Sequence, residues 1–177
     1  LQYIIQGVCA DLDLVGVPVT VEDCTANAGT LTADASSVAL VGDSVTISAT
    51  PNNDSVVPTD YDVTYVLTSG PTLIIQDAGA TPSFEVSEAG EYTIHTLVAE
   101  TSDNTSANFL DLGVINFGTT IAQNVLDLVG ANGLCASLDV EGAKFTVEDC
   151  TADAGTLTAD ASSVALVGDS VTISATP

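Results

Sequence analysis

The sequence predicts an all-β fold, an antiparallel β-sandwich repeated along the chain with one short helix crossing an end, and three observations carry that prediction. Short runs of alternating apolar and polar residues, bounded by turn residues, fill most of the chain. Val, Ile and Thr are abundant, whereas acidic disordered chains are poor in β-branched residues. One long stretch recurs almost letter for letter at a fixed offset.

That recurrence sets the organisation. Residues 21–51 read VEDCTANAGTLTADASSVALVGDSVTISATP and residues 147–177 read VEDCTADAGTLTADASSVALVGDSVTISATP, differing only at Asn27 against Asp153. Cys9 to Cys135 and Cys24 to Cys150 share one offset, 126 residues. Upstream the copies diverge, yet Leu12/Leu138, Asp13/Asp139 and Gly16/Gly142 keep register. Solenoid units run to about 20–50 residues, so a period of 126 suits a whole domain repeated as beads. The division expected is residues 1–24 as the end of a preceding repeat, 25–150 as one complete repeat, and 151–177 as the start of the next. A lone two-stranded unit is marginal in water. The last segment is therefore expected to continue into further chain, or to be completed by a neighbouring molecule. The absence of Met and of an amino-terminal signal leads to the expectation that the natural start lies upstream.

Within one period the elements read in order. Asp43 to Thr50 alternates, with Val45, Ile47 and Ala49 on one face and Thr46, Ser48 and Thr50 on the other. Tyr61 to Thr68 repeats the pattern with Val63, Tyr65 and Leu67 inward, followed by the turn Ser69-Gly70-Pro71 and an apolar run from Leu73 to Ile75. Pro82 to Val86 is a short strand. Gly90 to Val98 is a late strand with Tyr92, Ile94 and Val98 buried, which places His95 beside Thr93 on the outer face. Thr119 to Val129 breaks the β rhythm: Ile121, Val125, Leu128 and Val129 fall at helical spacing, with Thr119 or Thr120 as cap and Gly130 as stop. Cys135–Val140 and Ala143–Asp149 read as a hairpin turning at Glu141-Gly142. Residues 51–58 and 102–108 are the long polar loops, the places where binding sits on a sandwich.

Charge excludes one class of partner. Twenty-four carboxylates face one Lys, no Arg and one His, a formal charge of −23. Phosphate backbones are held by clustered Lys and Arg, so nucleic acid is not an expected partner. Internal salt bridges are equally scarce, leaving apolar burial, backbone ladders and cross-links to hold the fold. No apolar run approaches the roughly 20 residues of a membrane helix, so no membrane contact is expected in this segment.

The strings CTADAGTLTA, TYVLTSG, ATPSFEV, GEYTIHTLV and CASLDVEGAKFTV resemble the repeated module of giant surface proteins of Bacteroidetes-type bacteria, similar to gliding-motility adhesins and polycystic-kidney-disease-like repeat proteins. The likeness covers the whole period. It implies an immunoglobulin-like sandwich in an extracellular array, exported and anchored at the cell surface. It also implies O-glycans at Asp-Ser-Val sites, here Ser44 and Ser55.

Two Cys per period in a secreted repeat argue for disulfides. The local pairing, Cys9 with Cys24 and Cys135 with Cys150, is favoured because a hairpin brings those sulfurs together; Cys24 with Cys135 is the rival. Asp11-Leu12-Asp13-Leu14-Val15-Gly16 ending at Glu22 partly meets a calcium-loop template. Val15 stands at a ligand position, however, and the second copy offers Ser137, Asp139, Glu141, Gly142 and Glu148 without the first carboxylate. No cofactor is expected beyond weak divalent-cation binding, Ca²⁺ first, with carboxylates between domains such as Glu22 and Asp23 near Asp34 or Asp43 as the better place. His95 has no nucleophile or acid arranged around it, and Asp60 with Asp62, two apart on a strand face, lack a cleft, so no catalysis is expected. Sequons occur at Asn53-Asp54-Ser55 and Asn104-Thr105-Ser106. The expected role is a structural or adhesive repeat of an extracellular surface filament, its partners being neighbouring copies of the repeat, with lateral self-association between fibres. The alternatives are a carbohydrate- or calcium-binding module, or a strand-donating subunit.

Overall fold

A computed structural model describes residues 16–17, 23–152 and 154–177. Residues 28–149 build a sandwich of two sheets. One sheet holds β1 (Leu31–Ala33), β3 (Val45–Pro51) and β6 (Ser83–Val86) in the order β1-β3-β6. The other holds β2 (Ser37–Leu40), β4 (Asp62–Ser69), β5 (Ile74–Gly79), β7 (Gly90–Ala99), β8 (Ser137–Leu138) and β9 (Ala143–Asp149). Its path is β2-β9-β7-β4-β5, with β8 also on β7. Pairing is antiparallel except where β2 lies parallel to β9, Ser37 opposite Thr146 and Leu40 opposite Asp149. The entering chain thus serves both sheets, β1 on one and β2 on the other.

Alternation explains the core between the sheets. Leu31, Ile47, Ala49, Phe84 and Val86 from the small sheet meet Leu67, Ile94, Ala143, Phe145 and Val147 from the large one. The expected inward face of β3 is thereby met. Each buried Ile, Leu or Phe in such a layer removes enough apolar surface to contribute roughly 1.5–3 kcal/mol.

A second core lies on the opposite face of the large sheet. Val66, Ile75, Leu97, Ala99, Leu110 and Val125 cluster there, with Leu112, Ile115, Leu128 and Leu134 packed against them. The cover is a 3-10 turn, Leu112–Val114, and one helix, α1 (Ala122–Asn132). Every residue from Thr93 to Glu100 is therefore buried, because β7 is central in its sheet and covered on both faces.

The helix sits about three residues later than the spacing predicts. Ile121 is its N-cap, and its N–H donates to Asn124 Oδ1 at 3.2 Å. Thr119 and Thr120 instead close the preceding turn, bonding Asn116 O and Asn116 N. Gly130 is inside the helix, and Gly133 at φ 63° ends it, with Leu134 N–H reaching back to Val129 O at 3.0 Å. The segment before α1 also closes the edge of β5: Ile75 N–H donates to Thr120 O, Gly118 N–H to Ile75 O, and Ala122 N–H to Leu73 O. An edge so occupied offers no free ladder there to another chain.

The predicted hairpin at Glu141-Gly142 is not formed. β8 and β9 lie end to end along one side of β7, with Leu138 opposite Leu97 and Ala143 opposite Ile94. Residues 139–142 bulge out between them. The period-two pattern is present, but a turn-like Glu-Gly pair marks a bulge as readily as a reversal.

The duplicated stretch forms one short strand pair. β10 (Thr158–Ala159) pairs with β11 (Ala175–Thr176), Thr158 opposite Thr176 and Ala159 opposite Ala175. Shifted by the period of 126 residues, this is the register of β1 on β3, Thr32 opposite Thr50 and Ala33 opposite Ala49.

Candidate functional site

The most heavily fastened region is the end of the sandwich where the chain enters. Cys24 is bonded to Cys135, with Cα atoms 5.2 Å apart and a sequence separation of 111. Ala28 N–H donates to Ser137 Oγ at 3.0 Å, and Cys135 N–H to Asn108 Oδ1 at 3.3 Å. Loop 51–58 folds onto the same entering segment. Asn27 and Val56 exchange both backbone bonds at 2.9 Å, while Thr30 donates its N–H and its hydroxyl to the two oxygens of Asp54, both at 2.8 Å. Those two bonds hold the Asp54 carboxyl below its ordinary range. Gly29, at φ 66°, is required there: a Cβ would come within 2.6 Å of Ser55 N. Loop 51–58, one of the two long polar loops, is thus a clasp over the entry strand.

The cysteine pairing favoured from sequence is corrected. Ser137 is opposite Val98 and Val147 is opposite Gly90, eight residues of β7 apart. At about 3.3 Å per residue, Cys135 and Cys150 stand more than about 26 Å from each other. A disulfide needs Cα atoms within about 7 Å. Because the hairpin is a continued strand, the rival pairing forms instead, and Cys150 is an exposed free thiol at the exit end. Cys9 lies outside the described residues.

His95 is also corrected. It is fully buried, with Nε2 2.9 Å from Thr68 Oγ1 and Nδ1 2.8 Å from the carbonyl of Asp139. Nδ1–H donates to that carbonyl, which leaves Nε2 to accept from the Thr68 hydroxyl. Burial pushes its pKa down from 6.5, so the ring is neutral at pH 7. Alternation placed His95 on the face away from Ile94 correctly, but α1 and residues 110–117 cover that face. The ring is a strut across the bulge rather than an exposed base.

The remaining candidates are dispersed. Asp62 accepts from Thr101 Oγ1 at 2.8 Å, while Asp60 sits in the preceding turn at φ 69°, so the two do not share a strand face. Ser44 donates to Glu85, and Ser55 is exposed in the clasp loop. Most of the first calcium-template stretch lies outside the described residues. In its second copy Ser137 and Glu148 belong to β8 and β9, where strands replace the loop-and-helix frame of the template. No cluster of three or more His, Cys, Asp or Glu suited to a metal occurs among the described residues. Asp34 accepts from Ser48 Oγ at 2.6 Å and Thr50 Oγ1 at 2.8 Å, bonds that lower its pKa.

An open depression of about 620 Å³ lies beside Glu91, Tyr92, Glu141 and Lys144. The apolar gap beneath α1 holds about 60 Å³, where small-molecule sites run to roughly 300–1,000 Å³. The depression beside the disulfide, about 470 Å³, is open surface. Among the described residues no helix is long and apolar enough to cross a membrane. The disulfide is the chemistry of an oxidising compartment. Comparison with family models, curated proteins and solved structures finds no match to this chain.

Proposed function

We propose that the chain is a stretch of a tandem array of immunoglobulin-like sandwiches forming a non-catalytic structural or adhesive filament at the outer surface of a cell. The observation that carries this reading is the second copy of the β1–β3 pair, where a near-identical sequence repeats the same strand register one period on. Even its cap is repeated: Asp160 N–H donates to Ser174 O as Asp34 N–H does to Ser48 O, and Thr176 donates to Asp160 as Thr50 does to Asp34. The fastening of the entry end and the opposite placing of the exit suit units joined end to end. Near-identical copies serve a role in which length and spacing matter more than a unique pocket.

Denaturing electrophoresis of the native material under reducing conditions tests this. A very high mass supports the continuous array. A small discrete band supports the second reading, a subunit that donates strands to its neighbour. That reading draws on residues 154–177, where Leu157 is 72% and Ile173 79% exposed although their counterparts Leu31 and Ile47 are 9% and 1% exposed. Calorimetric titration of the chain with Ca²⁺ and with common glycans is expected to give no saturable heat. A saturable isotherm would favour a ligand-binding module instead.

A further inference from the structure

We propose that the Cys24–Cys135 bond makes each sandwich a strap of nearly fixed length under tension, because the shortest covalent path through the unit bypasses almost the whole fold. Chain enters at Cys24, beside Cys135, and leaves at Cys150, at the other end of β7. With the disulfide intact, a pull from entry to exit runs across the bond and then along residues 135–150 only. Those fifteen residue-to-residue steps can reach about 50 Å when fully drawn out. They already cover more than about 26 Å of that, since β8 and β9 lie extended along β7. The remainder, residues 25–134, holds most of both cores and hangs as a closed loop outside the path of force.

Consequently, complete rupture of the oxidised sandwich lengthens the chain by no more than about 25 Å. A dithiol opens the bond to two thiols and is itself oxidised to its cyclic disulfide. The path then becomes the full period of 126 residues, and rupture releases roughly 400 Å. The extension limit belongs to the single sandwich. Its consequence, that a fibre keeps its length when units fail, rests on the array reading above.

Single-molecule pulling on the whole chain tests the limit. Click-reactive residues replacing Asp23 and Thr151 carry the handles, and Cys9→Ser and Cys150→Ser remove the spare thiols. Oxidised molecules are expected to show steps no larger than about 25 Å, and the same molecules under dithiothreitol a step more than tenfold longer. Inserting ten Gly/Ser residues in loop 102–108 adds a second readout. It leaves the oxidised trace unchanged and lengthens the reduced step by about 35 Å. A long step in the oxidised chain, or an oxidised trace that grows with the insertion, overturns the proposal. A small band on the denaturing gel would overturn the array and leave this measurement intact.

Discussion

His95 and Gly142 meet where the second side of β7 is broken, and together they show how one residue type dictates its neighbours. Gly142, at φ 53°, passes so close to β7 that a Cβ would come within 2.6 Å of Ile94 O and 2.9 Å of His95 Nδ1. Gly142→Ala therefore adds a strained φ to a backbone clash and is expected to cost about 2–4 kcal/mol in urea unfolding. His95 makes a prediction about acid. Its folded pKa lies below its unfolded value of 6.5, so at pH 7 both states are neutral and nothing is lost. Below about pH 6.5 the unfolded chain takes up a proton that the folded ring refuses, and stability falls. It is the chain's only histidine, and ordinary carboxylates titrate lower. His95→Gln is thus expected to flatten the stability profile between about pH 6.5 and 5 measured by urea midpoints. An unchanged slope would mean that the ring protonates freely. The shifted carboxylates of Asp34, Asp54 and Asp103 act further down, each favouring the fold above its ordinary pKa and losing that effect as pH falls.

At the scale of elements, strands were legible wherever one face is wet. β3 and β6 alternate cleanly, and their inward residues are those that period two selects. β1 and β2 were not legible as separate strands, being three and four residues long and set by pairing with β3 and β9 rather than by a pattern of their own. β7 was legible as a strand but not as a strand buried on both faces. The signal was the apolar stretch that follows Asn108, from Phe109 to Ile115, which has no partner in a two-layer sandwich and supplies the third layer here. Leu110 is the test of that layer. It is fully buried, and its N–H donates to Glu100 O at 2.8 Å. Leu110→Ala is expected to cost about 2–5 kcal/mol and to loosen α1, read as lost amide protection in residues 122–132 ahead of the strands.

At the scale of the whole molecule, the cross-link and the charge set stability between them. Closing a loop of about 100 residues is worth roughly 2–5 kcal/mol, so reduction is expected to lower the unfolding midpoint without changing the slope of the native baseline. A net charge of −23 with one exposed ion pair, Lys144 to Glu141 at 3.4 Å, leaves repulsion largely unanswered among the described residues. Raising salt from about 0.01 to 0.5 M is expected to raise Tm, and a flat response would mean the carboxylates are too far apart to interact. The period and the acidic balance were plain in the sequence. The disulfide was not, because spacing alone cannot say whether fifteen residues turn back or run straight on. On the array reading proposed above, that straight run also bears on how neighbouring copies fold. Consecutive near-twins threaten to fold into each other's places, yet Asp149 and Ala154 are only five residues apart, about 18 Å at most. A downstream twin leaving at Asp149 cannot return to the seat that Ala28 holds beside Ser137, so an emerging copy is kept from usurping the strands of the one before it.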